Sequence, residues 1–231
     1  MKQIWHDLLF MHWPVAVDAI RSLVPAALKI ETYDGTAWIG VVPFHMSGIR
    51  GRGLPPIPGT SAFPELNVRT YVRCQGKPGV WFFSLDAANL LAVAAARRFF
   101  HLPYFRAEMS AKRRPNGEIA YVSHRKHRNA PDADFRGSYH PVGDVFEARR
   151  GTIEHFLAER YCLYAAASGS IYRGEIDHRP WPLQLAKAQT EVNTMAEASG
   201  IVLPKVKPLL HFALLQDVKI WGLEKLPGPN G

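Results

Sequence analysis

A short run of alternating residues carries the most chemistry in this sequence. In the segment Phe63–Arg69, the residues Glu65, Asn67 and Arg69 occupy every second position. Alternate side chains of a β-strand point to the same face, so a carboxyl group, an amide and a guanidinium would lie in one row. Arginine can hold a carboxylate bidentately, and a partly desolvated glutamate can move a proton. The pattern predicts a ligand-binding face, and its alternative is a solvated strand face with an ordinary Glu–Arg pair.

A second candidate lies in residues 96–105. Arg97 and Arg98 stand near the end of an expected helix, where positive charge complements the helix dipole. Arg97 is therefore expected either to line a ligand pocket or simply to finish the helix. A proline then ends the helix, and Tyr104 follows among phenylalanine and leucine residues. Tyr104 is expected either to point into the pocket as a weak acid or to be a core residue with a paired hydroxyl group.

The sequence lacks the other signatures of catalysis and metal binding. His124 and His127 form the only close histidine pair, and no cysteine or carboxylate stands at a matching ligand distance. Neither Cys74 nor Cys162 belongs to a CxxC motif, and no GxSxG or phosphate-binding glycine motif is present. We therefore expect no metal and no cofactor, and the hydrolase, kinase and dinucleotide-binding classes have no support.

Most of the net positive charge lies in one stretch, from Arg97 to Arg128. Nine basic residues oppose two acidic ones there, which gives +7 of the chain's total of +8. Such a stretch could bind nucleic acid or an acidic partner. It is not accompanied by a helix-turn-helix, zinc-finger or aromatic RNA-binding signature, and solvated charge is normal beside a hairpin. The sequence therefore does not favour nucleic acid binding, which stays an alternative.

Composition places the chain among globular proteins. It has 231 residues, of which 47% are apolar and 21% charged, and only two cysteines. These values favour one cytoplasmic domain without disulfides. The longest charge-poor apolar stretch, Ala87–Ala96, is about half of what spans a bilayer, so we expect no membrane segment. The Pro/Gly-rich stretch Gly48–Gly59 is expected to be a loop inside the domain, since strand-like runs flank it.

Strand signals outnumber helix signals. Asp34-Gly35 predicts a turn between the first two predicted strands, and Asp86 is expected to cap the second helix. The predicted strands are Leu28–Thr32, Ala37–Met46, Leu66–Arg73, Val80–Leu85, Phe105–Ala111, Glu118–Ser123, Tyr161–Ala167, Ile171–Ile176 and Leu209–Leu223. The predicted helices are Asp18–Val24, Ala87–Phe100, Thr152–Glu159 and Asn193–Ala198. This order indicates a mostly antiparallel barrel or sandwich.

Several segments resemble the YqjF-like family of uncharacterised bacterial proteins. They are Trp13-Pro14, Val17–Pro25, Asp34–Phe44, Phe63–Val72, Phe83–Ala87, Phe100–Tyr104, Trp181–Leu183 and Asn193–Met195. The resemblance is close to full length, but that family has no established activity to carry over.

More remotely, the chain resembles the acetoacetate-decarboxylase superfamily, which implies a cone-shaped barrel around a small-acid pocket. Phe63–Glu65 resembles the strand bearing that superfamily's active-site glutamate, and His6 stands near the position of its carboxylate-binding arginine. Tyr104 and Phe105 stand where its catalytic lysine pair would be. Its chemistry needs a lysine whose pKa is lowered by a cationic neighbour, so Schiff-base decarboxylation is not expected here.

The residues and the resemblance together predict a mostly-β (α+β) protein. It is expected to be a single domain over residues 1–231, an antiparallel acetoacetate-decarboxylase-like barrel with three or four short helices. The pocket is expected to bind a small carboxylate-type ligand, with Arg69 as the clamp and Asn67 and Arg97 as further contacts. Glu65 and Tyr104 are the catalytic candidates, for proton transfer beside a carbonyl group.

Two alternatives remain open from the sequence. One is a non-catalytic ligand-binding or sensing module that uses the same pocket. The other is an interaction protein that uses residues 97–128 on nucleic acid or an acidic partner. The superfamily analogy also implies a homo-oligomer.

Overall fold

The fold is dominated by one sheet. The computed structural model describes residues 1–51 and 62–227. Its strands are β1 (Lys2–Val15), β2 (Lys29–Ile30), β3 (Ala37–Arg50), β4 (Phe63–Cys74), β5 (Lys77–Ala87), β6 (Tyr104–Arg113), β7 (Ile119–Arg125), β8 (Asp134–Phe146), β9 (Cys162–Ala167), β10 (Ser170–Asp177), β11 (Leu183–Asn193) and β12 (Leu209–Lys225). Its helices are α1 (Val17–Arg21), α2 (Leu90–Phe100) and α3 (Ile153–Ala158), with a 3₁₀ turn at Glu197–Ser199.

The sheet closes on itself in two ways. Its strand order is β10-β9-β5-β6-β7-β8-β11-β12-β1-β3-β4-β2, and β5 also pairs with β4 and β10 with β12. A larger ring therefore runs through β6, β7, β8 and β11, and a smaller ring through β9 and β10. The two rings share β1, β3, β4, β5 and β12. Pairing is antiparallel except where β5 meets β6 and β9. The mostly-β fold class predicted from the sequence is confirmed.

Tight turns form two of the hairpins. Gln75 and Gly76 join β4 to β5, and Ser168 and Gly169 join β9 to β10. All four residues have positive φ angles, between 48° and 77°. Turns with positive φ at both central residues match the right-handed twist of the flanking strands, so they favour hairpins of this kind.

The hairpin predicted around Asp34-Gly35 is wrong. The turn forms, since Tyr33 and Thr36 bridge across it, but β2 pairs with β4 instead of β3. Both edges of β3 are already used, because β1 pairs with one and β4 with the other. The position left for β2 is therefore the outer part of β4.

Two helix predictions also need correction. Asp86 does not cap α2, because it lies in β5 and pairs with Arg125, and the Asn89 side chain accepts from the Ala92 amide at 3.0 Å instead. Residues 193–198 are not a helix. β11 extends through Asn193, and only the 3₁₀ turn follows. The pattern also missed β1, β8 and β11 as strands, because their alternation is interrupted by bulges.

Only part of the Pro/Gly-rich stretch Gly48–Gly59 lies within the described residues. Gly48 to Arg50 belong to β3, whereas residues 52–59 lie outside the described residues. None of the helices within residues 1–51 and 62–227 is both long and apolar enough to cross a membrane.

The core forms on both faces of β4. Leu66, Val68 and Val72 point to one face and join the largest cluster of buried apolar side chains. Tyr71 points to the other face, into a second cluster enclosed by the smaller ring. Because β4 belongs to both rings, most of its side chains are buried, and this places its polar row inside the protein.

Candidate functional site

The polar row predicted from alternation lies inside the smaller ring. Glu65, Asn67 and Arg69 retain only 3%, 5% and 7% of their accessible surface. All three line one cavity of about 70 Å³. The alternative of a solvated strand face is therefore wrong. The two charged groups also form no ion pair with each other, because each faces a different part of the cavity.

The cavity is apolar apart from a few polar groups. Its walls are mainly aromatic and aliphatic side chains from six strands of the smaller ring, whose seventh strand, β4, supplies the polar row, and α2 covers the cavity with Ala96 and Phe100. Tyr104 and Gln3 join the polar row as the other polar lining residues. A space of this size holds several waters or an organic molecule of a few heavy atoms. Ligand sites commonly combine apolar walls with a few placed polar groups in this way.

Glu65 is bound to Tyr104. The Tyr104 hydroxyl donates to Glu65 Oε2 at 2.9 Å. Burial raises the pKa of Glu65 to about 8; the hydrogen bond from Tyr104 opposes that rise and the charge of Asp86 adds to it. Burial, and secondarily Glu65, raise the pKa of Tyr104 well above its usual range. At neutral pH both groups therefore keep their protons, and the Tyr104 hydroxyl is committed to Glu65.

Arg69 is a buried cation without a carboxylate partner. Its guanidinium carbon lies 5.3 Å from the centre of the Phe10 ring and 5.8 Å from that of Tyr71. Within the described residues, Nε has no hydrogen-bond partner and no carboxylate oxygen lies within 4 Å of the guanidinium. Asn67 Oδ1 is likewise buried without a partner in the described part of the chain. Burying an unpaired charge is costly, so this arrangement calls for an anion from outside.

A glycine sets the position of Arg69. His12, Gly40 and Arg69 are aligned across β1, β3 and β4 by the strand pairing. A Cβ atom on Gly40 would lie 3.1 Å from the His12 ring and 3.3 Å from Arg69 Cγ. The absence of a side chain at this position therefore lets the imidazole and the arginine stem pack side by side.

His12 is fixed behind Arg69 and carries no charge. Its Nε2 lies 2.6 Å from the Tyr71 hydroxyl, which itself donates to the Leu157 carbonyl, so Nε2 must be the donor to Tyr71. Burial, then the charges of Arg69 and His211, lower the pKa of His12 well below its usual range. His12 therefore supports the site without adding to its positive charge.

Gln3 is a lining residue that the sequence pattern missed. Its side chain is 8% exposed, and its Oε1 accepts from the Trp5 indole at 2.8 Å. That bond fixes the amide so that Nε2 is free of strong acceptors, since its one contact is the Met1 sulfur at 3.6 Å. In the sequence Gln3 is an isolated glutamine, and a bulge interrupts the alternating pattern of its strand, so the pattern does not mark it as a pocket residue. His6, next along that strand, is not in the cavity and pairs with Ser47 Oγ at 2.7 Å.

Arg97 lies outside the cavity and acts on its wall. Its Nη1 donates to the Tyr104 carbonyl at 2.7 Å, and its guanidinium carbon is 5.9 Å from the Phe105 ring centre. It lines a second, more open depression instead. The structure therefore places Arg97 where it holds the backbone of Tyr104, while Glu65, Asn67, Arg69 and Tyr104 are brought together.

Metal chemistry gains no support from the geometry. Across the two described ranges, no three His, Cys, Asp or Glu side chains are grouped so that they could hold a metal ion. His124 pairs with Asp134 at 2.6 Å, whereas His127 Nδ1 accepts from the backbone amide of Arg106. The two histidines thus serve different local contacts.

No lysine lines the cavity within the described residues. Lys219, on β12, forms an exposed ion pair with Asp177 at 3.0 Å, and Lys187 is exposed on β11. No lysine side chain of the described residues is therefore positioned to form a Schiff base in the cavity.

Comparison with known proteins gives matches along most of the chain. The family DUF2071, described as an uncharacterised conserved protein, matches residues 2–217. An uncharacterised protein of Bacillus subtilis, YqjF, is 50% identical over 226 residues, which cover 97% of this chain and 92% of that protein.

Solved structures share the fold at low identity. The enduracididine biosynthesis enzyme MppR, complexed with pyruvate, matches with a TM-score of 0.68 at 12% identity, over 98% of this chain and 90% of that one. Acetoacetate decarboxylase from Legionella pneumophila matches with a TM-score of 0.65 at 10% identity, over 100% of this chain and 88% of that one. These likenesses establish the fold and leave the chemistry to the residues of the cavity.

Proposed function

This chain belongs to the DUF2071 family of uncharacterised conserved proteins, and from the pocket it carries we propose that it binds a small organic carboxylate. Arg69 is the clamp for the carboxylate, with the Asn67 amide beside it. Glu65 and Tyr104 form the other polar part of the pocket, where a second oxygen of the ligand is recognised. The apolar walls enclose the carbon skeleton.

One observation carries this proposal. Arg69 is buried at 7% exposure and has no carboxylate partner in the described part of the chain. Protein interiors normally pair such charges. MppR, which shares the fold, forms a complex with pyruvate, a small carboxylate. A ligand of that class agrees with the size and charge of the pocket here, although the complex itself concerns MppR alone.

The lining groups favour binding over turnover at neutral pH. Glu65 keeps its proton because burial raises its pKa to about 8, and the Tyr104 phenol also stays protonated. The pocket can therefore donate a proton but offers no free base among its described lining groups. If the ligand is turned over, the step that these groups can serve is proton donation from Glu65 to an oxygen or carbon beside a carbonyl group.

Part of the basic stretch from Arg97 to Arg128 has partners within the chain, which favours the pocket over a separate interface as the functional site. Arg125 is buried in an ion pair with Asp86, Arg113 pairs with Asp7, and Arg114 pairs with Glu118. Arg97 is bonded to the backbone of Tyr104. Four of the nine basic side chains thus have internal partners, which weakens the case for a surface that binds nucleic acid.

The test is a thermal-shift screen with small carboxylic and oxo acids on wild type and Arg69→Met. A ligand at about 100 times its Kd stabilises the fold by roughly 2.7 kcal/mol, which raises Tm by several degrees in a chain of this length. We expect at least one acid to raise the Tm of wild type and none to raise that of Arg69→Met. The exposed Arg98→Met is the matched control and keeps the shift.

Without ligand, Arg69→Met should be at least as stable as wild type. Methionine fills similar space and removes a buried charge that lacks a partner. This expectation separates loss of binding from loss of folding. Retention of the ligand shift in Arg69→Met, or no shift with any acid, contradicts the proposal. Recovery of the bound acid unchanged after prolonged incubation would assign the protein to binding without turnover.

A further inference from the structure

We propose that the pocket takes up its carboxylate ligand together with one proton, which is held on Glu65, so that ligand is released as the solution becomes alkaline. This inference rests on the proposed function, because it concerns how the same pocket regulates its ligand. It assigns to Glu65 the role of a neutral hydrogen-bond donor toward the ligand.

The charge of the cavity favours a neutral Glu65 when a carboxylate is bound. Glu65 and Arg69 lie on one face of β4, four residues apart, which is about 13 Å along an extended strand. They form no ion pair. With Glu65 neutral, Arg69 is the one charged side chain among the described lining residues and matches one carboxylate; the Met1 ammonium, also at the cavity, donates to the Ile220 carbonyl at 2.7 Å. With Glu65 ionised, the charges of these two side chains already balance, and a ligand carboxylate would add a second negative charge in a space of about 70 Å³. Like charges in such a space repel strongly.

The groups that face Glu65 also favour its neutral form. Tyr104 on β6 donates to its Oε2, and the Tyr121 hydroxyl on β7 donates to its backbone carbonyl at 2.7 Å. Asp86 on β5 carries a negative charge nearby, but Arg125 holds it in a bidentate pair at 2.7 Å. Burial raises the pKa of Glu65, with one opposing hydrogen bond from Tyr104.

Cations elsewhere around the cavity do not compensate for a charged Glu65. Arg97 from α2 reaches only the Tyr104 carbonyl, and Arg69 is directed toward Phe10 and Tyr71. The remaining elements against Glu65, β1 and β3, contribute Gln3, Trp5 and Phe44, which do not titrate, and Met1 before β1 lines the cavity with its terminal ammonium bonded to the Ile220 carbonyl at 2.7 Å. Every described neighbour therefore leaves the neutral carboxyl group as the favoured form at neutral pH.

The hydrogen bonds of Glu65 determine which of its two oxygens carries the carboxyl proton. Tyr104 occupies Oε2, and no described residue donates to Oε1. The carboxyl proton therefore resides on Oε1 of a side chain that lines the cavity. From there it donates to an oxygen of the ligand. Binding lengthens the series of hydrogen bonds from Tyr104 through Glu65 to the ligand, and the negative ligand strengthens the hold on the proton.

The experiment measures the Kd of pyruvate by calorimetry from pH 6.5 to pH 10 for wild type and Glu65→Gln. Pyruvate stays fully ionised over this range, so any change arises in the protein. For wild type we expect a nearly constant Kd below pH 7 and a rise approaching tenfold per pH unit above pH 8. At pH 8.5, repetition in two buffers of different ionisation enthalpy should show uptake of about half a proton or more per ligand.

Glutamine resembles the neutral form of glutamate, so Glu65→Gln should bind pyruvate within a few-fold of wild type at pH 6.5. Its Kd should then stay flat to pH 10, with no proton uptake. The exposed Glu224→Gln serves as the matched control and keeps the wild-type profile. Should Glu65→Gln fail to fold, proton uptake is measured on wild type with its Met1 amine acetylated, because that amine also lines the cavity and titrates in this range; loss of the uptake on acetylation overturns the assignment to Glu65.

The outcomes separate this inference from the proposed function. Binding of pyruvate with a pH-independent Kd and no proton uptake overturns the inference and leaves the proposed function standing. A Glu65→Gln variant that folds and cannot bind at pH 6.5 also overturns it, since the ionised form would then be required. If neither pyruvate nor any other acid binds at pH 6.5, the proposed function falls and the inference with it.

Discussion

Glu65 and Arg69 lie on one face of one strand, yet burial affects the two side chains differently. A buried carboxyl group can escape the cost of its charge by keeping a proton. Arginine has no such escape, because its guanidinium does not lose its proton in proteins. The same surroundings therefore produce one neutral acid and one uncompensated cation. The pocket thus has a positive charge without any excess of basic residues in its lining.

Removing the Tyr104 hydroxyl should raise the pKa of Glu65 further above its ordinary value. The hydrogen bond from Tyr104 stabilises the ionised carboxylate, and so it lowers the pKa of Glu65 against the larger effect of burial. In Tyr104→Phe we expect that pKa to rise above its value of about 8. The pH at which pyruvate affinity begins to fall should rise by about the same amount, as measured by calorimetry.

Tyr33→Phe is the matched control for this change. Its hydroxyl donates to the Gly151 carbonyl, far from the cavity, so its profile should coincide with that of wild type. A profile of Tyr104→Phe that moves to lower pH would show that the phenol destabilises the charged carboxylate, contrary to the geometry of the pocket.

Alternation alone placed three of the pocket residues on one face of a strand, whereas the superfamily resemblance was needed to favour the inside of the barrel over solvent. Glu65, Asn67 and Arg69 share a face because they share a strand, and this follows from local geometry. Tyr104 required the family resemblance, since nothing near it in sequence shows that it reaches Glu65. Gln3 was not predictable, because its role depends on the Trp5 bond and on pairing with distant strands. For the same reason, the pattern could not show that Arg97 contacts the Tyr104 carbonyl from outside.

At the scale of elements, three adjacent strands hold the clamp in place. β1, β3 and β4 bring His12, Gly40 and Arg69 into one row across the sheet. The middle position must be small, because both neighbours lean over it. Packing between strands, and not only the choice of arginine, therefore determines where the guanidinium lies.

Gly40→Ala should weaken both folding and ligand binding. The added methyl group would meet the His12 ring at 3.1 Å, and His12 cannot move freely because its Nε2 is bonded to Tyr71. Overpacking of this kind costs about 1–3 kcal/mol. Displacement of the Arg69 stem should also raise the Kd of pyruvate. Chemical denaturation and calorimetry would measure the two effects.

The matched control is Gly222→Ala, on β12 of the same sheet. No heavy atom lies within 4 Å of the position its Cβ would take, so its stability should change by less than about 0.5 kcal/mol. Equal effects from the two substitutions would mean that the loss arises from strand glycines in general and not from the row that contains Arg69.

Local signals predicted most elements but not all of their partners. The turns at Gln75-Gly76 and Ser168-Gly169 each join strands that pair with each other. The turn signal at Asp34-Gly35 led to a wrong pairing of β2 with β3, because both edges of β3 are already paired. Strand pairing depends on competition between distant segments, which a turn dipeptide does not encode.

At the scale of the whole molecule, one buried ion pair joins the shared strand β5 to β7 of the larger ring. Arg125 and Asp86 are 2% and 0% exposed, and they meet through two bonds of 2.7 Å. The Arg125 guanidinium also stacks on Phe105, 4.1 Å from the ring centre. The pair lies where β5, β6 and β7 come together, behind the wall that carries Tyr104.

Asp86→Asn should destabilise the protein by about 3–5 kcal/mol, because it leaves the Arg125 charge buried without its partner. The double variant Asp86→Leu/Arg125→Met should recover most of that loss, since it removes both charges. Urea denaturation at pH 7 measures each variant.

Asp177→Asn tests the same change in an exposed pair. Asp177 and Lys219 are 54% and 49% exposed, so the loss should not exceed about 1 kcal/mol. Losses of similar size in Asp86→Asn and Asp177→Asn would show that water reaches the buried pair.

The closed sheet also determines when the pocket can exist. Lys2 to His12 of β1 pair with Leu209 to Lys219 of β12, so the pairing joins segments about 200 residues apart in the chain. Contacts of such long range form late in folding. During synthesis β1 leaves the ribosome before β12, so the edge of β1 that pairs with β12 stays unpaired until β12 has been made. Gln3 and Ile220 then complete the cavity from these two strands. The ligand therefore has no site on the nascent chain and can stabilise the protein only after translation has delivered β12.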